Sequence, residues 1–180
     1  MLTENIITGT KEYKLRRLST DNEAEIQDLC ERGSDFFELT EGRRPEKDAA
    51  NQILTELPPG KELIDKYVIG VYNENEVLVA IIDIVKDYKE SGEWMIGLLL
   101  LDPRERGNGL GRNIHDVIKK WVSEENGSKL RIGVVEANRR GYQFWCEMGY
   151  FEVGKVKNTY GNIEHTVIAM NFLLKDQSAV

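Results

Sequence analysis

The segment Leu100-Leu101-Asp102-Pro103-Arg104-Glu105-Arg106-Gly107-Asn108-Gly109-Leu110-Gly111 constrains the fold more than any other. An apolar run ends in a Pro-containing turn, and the Gly-rich stretch that follows opens a helix with Ile114, Val117, Ile118, Trp121 and Val122 at helical spacing. A strand–turn–helix junction of this kind exposes backbone N–H groups at a helix N-terminus, where unpaired donors and the helix dipole favour an anion. The glycines let a bulky phosphate approach the main chain. The segment therefore reads as a diphosphate cradle. It is not a Walker loop, because Arg112 and Asn113 stand where Lys and Ser/Thr are required. A dinucleotide fingerprint starting at Gly109 meets Ile114 where a small third residue belongs.

A second segment strengthens the reading. Val134-Val135-Glu136-Ala137-Asn138 closes a strand, Asn138 suits the N-cap of the next helix, and Gly149 suits its C-terminal end. Arg106-x-x-Gly109-x-Gly111 after a strand ending Leu-Asp-Pro, followed by the run from Asn138 through Phe144-Trp145 to Gly149-Tyr150, resembles the GNAT N-acetyltransferase family. The resemblance is good over residues 66–171 and holds only in pattern over 1–65. It implies one domain of α/β (α+β) class with the acyl-CoA N-acyltransferase fold: a mixed, largely antiparallel sheet with helices on both faces. Residues 1–65 would then form the acceptor side and 66–171 the core with the acetyl-CoA site.

The rest of the chain agrees with that order. Glu12–Leu18 alternates as a strand, and Thr20 to Glu23 reads as a capping box opening a helix through Ile26, Leu29 and Cys30, with Gly33 at its end. Phe36 to Leu39 reads as a helical turn or loop, and Pro45 as the first turn of another helix bearing Ala49, Ala50, Ile53, Leu54 and Leu57. Lys66–Tyr72 and Glu76–Tyr88 flank a turn, Trp94–Leu101 feeds the cradle, and Leu130–Val135 follows the helix. Phe151–Lys157 and Ile163–Leu173 form a last hairpin.

Composition excludes other classes. The net charge of −7, from 31 acidic and 24 basic residues, argues against nucleic-acid binding, which needs a basic face. No apolar run is long enough for a membrane span. No secretory signal is visible, and two cysteines, Cys30 and Cys146, suit the reduced thiols of a cytoplasmic protein. Exposed strand edges are compatible with a homodimer. No metal-ligand cluster stands out, so no metal is expected.

What remains follows from the resemblance. Acetyl-CoA is the co-substrate it implies. The main chain of Leu99 and Leu101 would pair with the pantetheine arm, and the N–H groups of Arg106, Gly107, Gly109, Gly111 and Arg112 would receive the pyrophosphate. Asn138 and Trp145 would complete the cofactor site. The acceptor would be an amine of a small molecule or peptide. Such an amine, with a pKa of about 10.4, is neutral in roughly one molecule per thousand or fewer at neutral pH, so a base lowers the barrier. Here the sequence departs from the family pattern: Trp145 occupies the position of the usual acidic tyrosine, and Met95 that of a catalytic glutamate in some relatives. Glu93, two residues before Met95, is a candidate base, with a solvated strand end as the bland alternative. Asp83, a carboxylate inside the apolar strand Ile81–Val85, is a candidate for binding or deprotonating the acceptor. Tyr142 is a candidate acid, with an ordinary half-buried tyrosine as the bland alternative, and His165 could act as a base but reads first as structural. The acceptor pocket is expected from Phe36, Phe37, Glu38 and the final hairpin. The rival reading is a CoA-binding module without catalysis, acting as a sensor or assembly subunit; an acyltransferase for longer acyl groups is a third.

Overall fold

A computed structural model describes residues 5–174. The elements are β1 (Asn5–Thr8), β2 (Lys11–Arg17), α1 (Glu23–Arg32), α2 (Ser34–Glu41), α3 (Ala49–Thr55), β3 (Lys66–Tyr72), β4 (Leu78–Val85), β5 (Glu93–Leu101), α4 (Leu110–Glu124), β6 (Lys129–Val135), α5 (Arg139–Glu147), β7 (Phe151–Tyr160) and β8 (Ile163–Leu173). The strands form one sheet in the order β1-β2-β3-β4-β5-β6-β8-β7. Every pairing is antiparallel except β5 with β6, joined through α4. None of the described helices is long and apolar enough to cross a membrane.

Two cores flank the sheet. Residues such as Ile82, Ile84, Trp94 and Ile96 pack with Ile114, Ile118 and Trp145 of α4 and α5. On the other face, Val68, Ile81 and Leu100 pack with Ile26, Leu29 and Leu54 of α1 and α3. Coverage on both faces explains why β4 and β5 read as nearly continuous apolar runs. Cys30 lies buried in the second core, and Cys146 is exposed on α5.

Several local expectations shift. β1, four residues long, is an additional edge strand. The reciprocal cap lies one residue earlier than the sequence suggests: Asp21 N donates to Ser19 Oγ (3.3 Å) and Ser19 N to Asn22 Oδ1 (3.0 Å), closing a 3-10 turn ahead of α1. Phe36 to Leu39 belongs to a full helix, α2. Gly33 sits at its elbow with α1, where an added Cβ would lie 3.0 Å from Leu100 Cδ1, so a side chain there would push α2 off β5. Pro45 stands outside α3, which begins at Ala49 behind Asp48.

The feature that makes a site is a parting of strands. β5 pairs with β6 only from Glu93 to Ile96, opposite Lys129 to Ile132. Between the pairs Ile84–Ile96 and Asp83–Leu98 the register slips, leaving Gly97 as the extra residue of a bulge. Beyond it β5 stays with β4, while Gly133 to Val135 of β6 stay with β8. A gap opens between β5 and β6 and leaves one backbone edge of β5 without a strand partner.

Candidate active site

The gap is the floor of a cleft of about 430 Å³. Ile96 to Leu101 form one wall and Ile132 to Val135 the other, with Phe144 and Trp145 of α5 on one side of the sheet and Phe36, Leu39 and Thr40 of α2 on the opposite side. The cleft thus passes through the sheet. At one end it meets the loop from Asp102 to Gly109 and the first turn of α4.

That loop is held from both flanks by carboxylates. Asp102, buried, accepts from Arg104 N (2.9 Å) and pairs with the Arg32 guanidinium of α1, which also donates to Leu78 O (2.8 Å). Glu105 accepts from Lys11 Nζ (2.9 Å), the Tyr13 hydroxyl (2.7 Å) and Asn108 Nδ2 (3.1 Å). Asn108 Oδ1 in turn accepts from Leu110 N (3.0 Å), and Gly109 O takes Asn113 N (3.1 Å). The N–H groups of Gly111 and Arg112 precede the first available i−4 carbonyl and stay open to a ligand. Gly107 and Gly109 have φ of +80° and +91°, a backbone that side-chain-bearing residues rarely adopt.

Leu99, Leu101, Arg106, Gly107, Gly111, Asn138 and Trp145 all line this one cleft. Gly109 caps α4 beside it, and Arg112 lies on the first turn of that helix. Arg106 turns inward: Nε donates to Leu101 O (3.1 Å), and the guanidinium grips Asp35 of α2, with Nη2 2.9 Å from Oδ1. That hydrogen bond holds the Asp35 carboxyl below the usual carboxylate range. Asn138 caps α5 as its position suggests, Oδ1 accepting from Gly141 N (2.9 Å). Trp145 is buried edge-on against Phe144 (4.9 Å) and Tyr150 (5.1 Å).

The three residues singled out for proton chemistry do not line the cleft. Glu93 begins β5 at the far end from the loop, buried and 2.7 Å from Lys129 Nζ. Tyr142 donates to Glu152 Oε1 (2.6 Å) on the α5–β7 side, which raises its pKa. Asp83 holds Lys66 Nζ with both oxygens at 2.8 Å. Burial raises the Asp83 pKa against the opposing pull of Lys66. Asp83 nevertheless stands directly behind the lining: a Cβ added to Gly97, which does line the cleft, would be 3.2 Å from Asp83 Oδ2. A glycine interrupting an apolar strand was the available sign of this bulge.

The acceptor end differs in part from expectation. Phe36 lines the cleft, Phe37 is buried in the α1–α3 core, and Glu38 is exposed outside the lining. The final hairpin contributes Tyr160. His165 is structural in its contact, Nε2 donating to Thr40 O (2.8 Å) at the end of α2. Asp35, Thr40, Arg140 and Tyr160 carried no local signal. Among the described residues no His/Cys/Asp/Glu group is arranged to hold a metal.

Comparison with known proteins gives this architecture a family. No curated protein sequence matches the chain. Three solved structures share the fold at low identity. The GNAT domain of PAT from S. lividans is 14% identical, with 96% of this chain and 97% of that one covered and a TM-score of 0.72. An acetyltransferase from Thermus thermophilus is 19% identical, with 95% and 100% covered and a TM-score of 0.69. Spermidine N-acetyltransferase from Vibrio cholerae, solved in complex with CoA and spermine, is 14% identical, with 90% and 95% covered and a TM-score of 0.69. The profile of the Acetyltransferase (GNAT) family matches residues 26–150, which contain the parted strands, the glycine loop and the helices α4 and α5. The chain belongs to the GNAT acetyltransferase family.

Proposed function

We propose that this protein is an acetyl-CoA-dependent N-acetyltransferase that moves the acetyl group directly to a primary amine of a small molecule or peptide. The observation that carries the reading is the opening of the β5–β6 gap onto the free amides of α4's first turn. The residues present fit the co-substrate. Gly107 has no heavy atom within 4 Å of an added Cβ, leaving room for a diphosphate, and Gly111 offers its N–H where a Cβ would stand 3.4 Å from Phe144. The open edge of β5 suits an amide-bearing arm, with Leu99 and Leu101 on it, Asn138 across the cleft and Trp145 packed at its side. Gly109 and Arg112 complete the phosphate end.

Acetyl-CoA supplies an activated acyl thioester when bound. The chain's own task is to orient the arm, exclude water from the apolar walls and remove a proton from the acceptor ammonium. Asp83 is the base in this reading, reached past Gly97, where no side chain stands between it and the cleft. Its raised pKa makes it a stronger proton acceptor than an exposed carboxylate, with Lys66 opposing that rise. Glu93, tied to Lys129 at the strand's far end, and Tyr142, tied to Glu152, lack that access.

Asp83→Asn tests the assignment. It should lower kcat about 100-fold or more, the usual worth of a general base, while Kd for acetyl-CoA changes less than about twofold. The acid limb of the wild-type pH–rate profile should lie above the ordinary carboxylate range, as burial of Asp83 requires. Undiminished turnover in Asp83→Asn would remove it from the chemistry. Acetyl-CoA binding without thiol release from any amine would favour a CoA-binding module, the alternative to which Trp145 and Met95 at the family's acid and base positions lend weight.

A further inference from the structure

We infer that the acceptor is a monoamine carried on an apolar or aromatic body, and not a polycation; this rests on the N-acetyltransferase reading and narrows its substrate. The acceptor end of the cleft is built from Phe36, Leu39 and Thr40 of α2 and Tyr160 of the β7–β8 hairpin. The hairpin tip is hydrogen-bonded to the end of α2 and packs closely against it. His165 Nε2 donates to Thr40 O (2.8 Å), a Cβ added to Gly161 would lie 2.7 Å from Glu41 O, and one added to Gly42 would lie 2.6 Å from Ile163 Cδ1. The mouth is therefore preformed.

The carboxylates in and behind the lining already have partners. Asp35 is paired with Arg106, and Asp83, behind Gly97, with Lys66. Glu41 turns to Arg43 (3.5 Å), and Glu38 is off the lining. The remaining charged residue of the lining is Arg140, a cation. A polyamine or aminoglycoside would bring several ammonium groups to a lining that holds no unpaired carboxylate. One amine can use Asp83, and the rest of the acceptor meets two aromatic rings and a leucine. The Thr40 hydroxyl is taken by Phe36 O (2.9 Å). The Tyr160 hydroxyl has no partner among the described residues, so it offers the mouth one polar contact.

The test measures thiol release at saturating acetyl-CoA with 2-phenylethylamine, tryptamine and hexylamine against spermidine. The expected kcat/KM for the two arylalkylamines exceeds that for spermidine by about tenfold or more. Phe36→Ala and Tyr160→Ala should each raise KM for 2-phenylethylamine about tenfold with Kd for acetyl-CoA unchanged, and Tyr160→Phe, which keeps the ring, should restore most of the loss. Preference for spermidine, or an arylalkylamine KM indifferent to both alanine variants, would overturn the inference and leave the N-acetyltransferase reading standing. Bound acetyl-CoA with no release from any of the four amines, nor from lysine or a short peptide, would overturn both.

Discussion

At the scale of single residues, the missing side chain of Gly97 decides what a buried carboxylate can reach. Gly97 is not at positive φ, so a side chain there is compatible with the backbone, and its Cβ would stand 3.2 Å from the Asp83 carboxylate. Gly97→Val should lower kcat by about tenfold or more through this obstruction and leave acetyl-CoA affinity near wild type, as steady-state kinetics beside calorimetry would read. His115 supports a different prediction. It sits in the core beside Trp145, Tyr150 and Phe172, and burial pushes its pKa down to about 4. The unfolded chain binds the proton near the ordinary histidine value and the folded chain does not. Stability is therefore complete above about 6.5 and falls as pH drops from there toward 4, by roughly 3 kcal/mol at most. Urea denaturation across that range should show a shallower slope for His115→Leu, even though that variant also strips the Tyr150 hydroxyl of its partner at 3.1 Å.

At the scale of elements, each end of the cofactor site rests on a cap or turn. Asn138→Ala should cost about 1 kcal/mol of stability by losing the Gly141 N–H bond. It should also weaken acetyl-CoA binding, since Asn138 lines the cleft, and thermal melts with and without ligand separate the two effects. Such locally encoded features were readable in the sequence: a cap precedes its helix by one residue, and the Arg106-to-Gly111 loop carries its chemistry in consecutive residues. The supports of the loop were not. Asp35 meets Arg106 across 71 residues, and Tyr13 meets Glu105 across 92, pairings that no local pattern announces. For the same reason Glu93 read as a plausible base: its strand position was visible, but its partner Lys129 on β6 was not. α2 read as a turn because Gly33 separates it from α1 by a single residue, and helix propensity over a few residues is weak without the tertiary packing that Phe37 supplies.

At the scale of the whole molecule, apolar periodicity located most of the strands and helices, and the mixed, largely antiparallel sheet followed from the family resemblance. The edge strand β1 escaped because four residues with one buried side chain carry little pattern. The function depends on a feature no single element has: β5 leaves β6 at Gly97 just before it delivers the phosphate loop to α4. The most direct test is calorimetric titration of acetyl-CoA into the wild type and Gly111→Glu. Glu at that position of α4 suits the helix dipole, so the fold should be kept, while its charge opposes a diphosphate at the same amides. Wild-type binding with affinity lost by about 100-fold or more in the folded variant is the result expected, since each like-charge contact at about 4 Å costs roughly 4 kcal/mol near a protein surface. No heat of binding in the wild type, or equal affinity in both, would contradict the assignment of the cleft to acetyl-CoA.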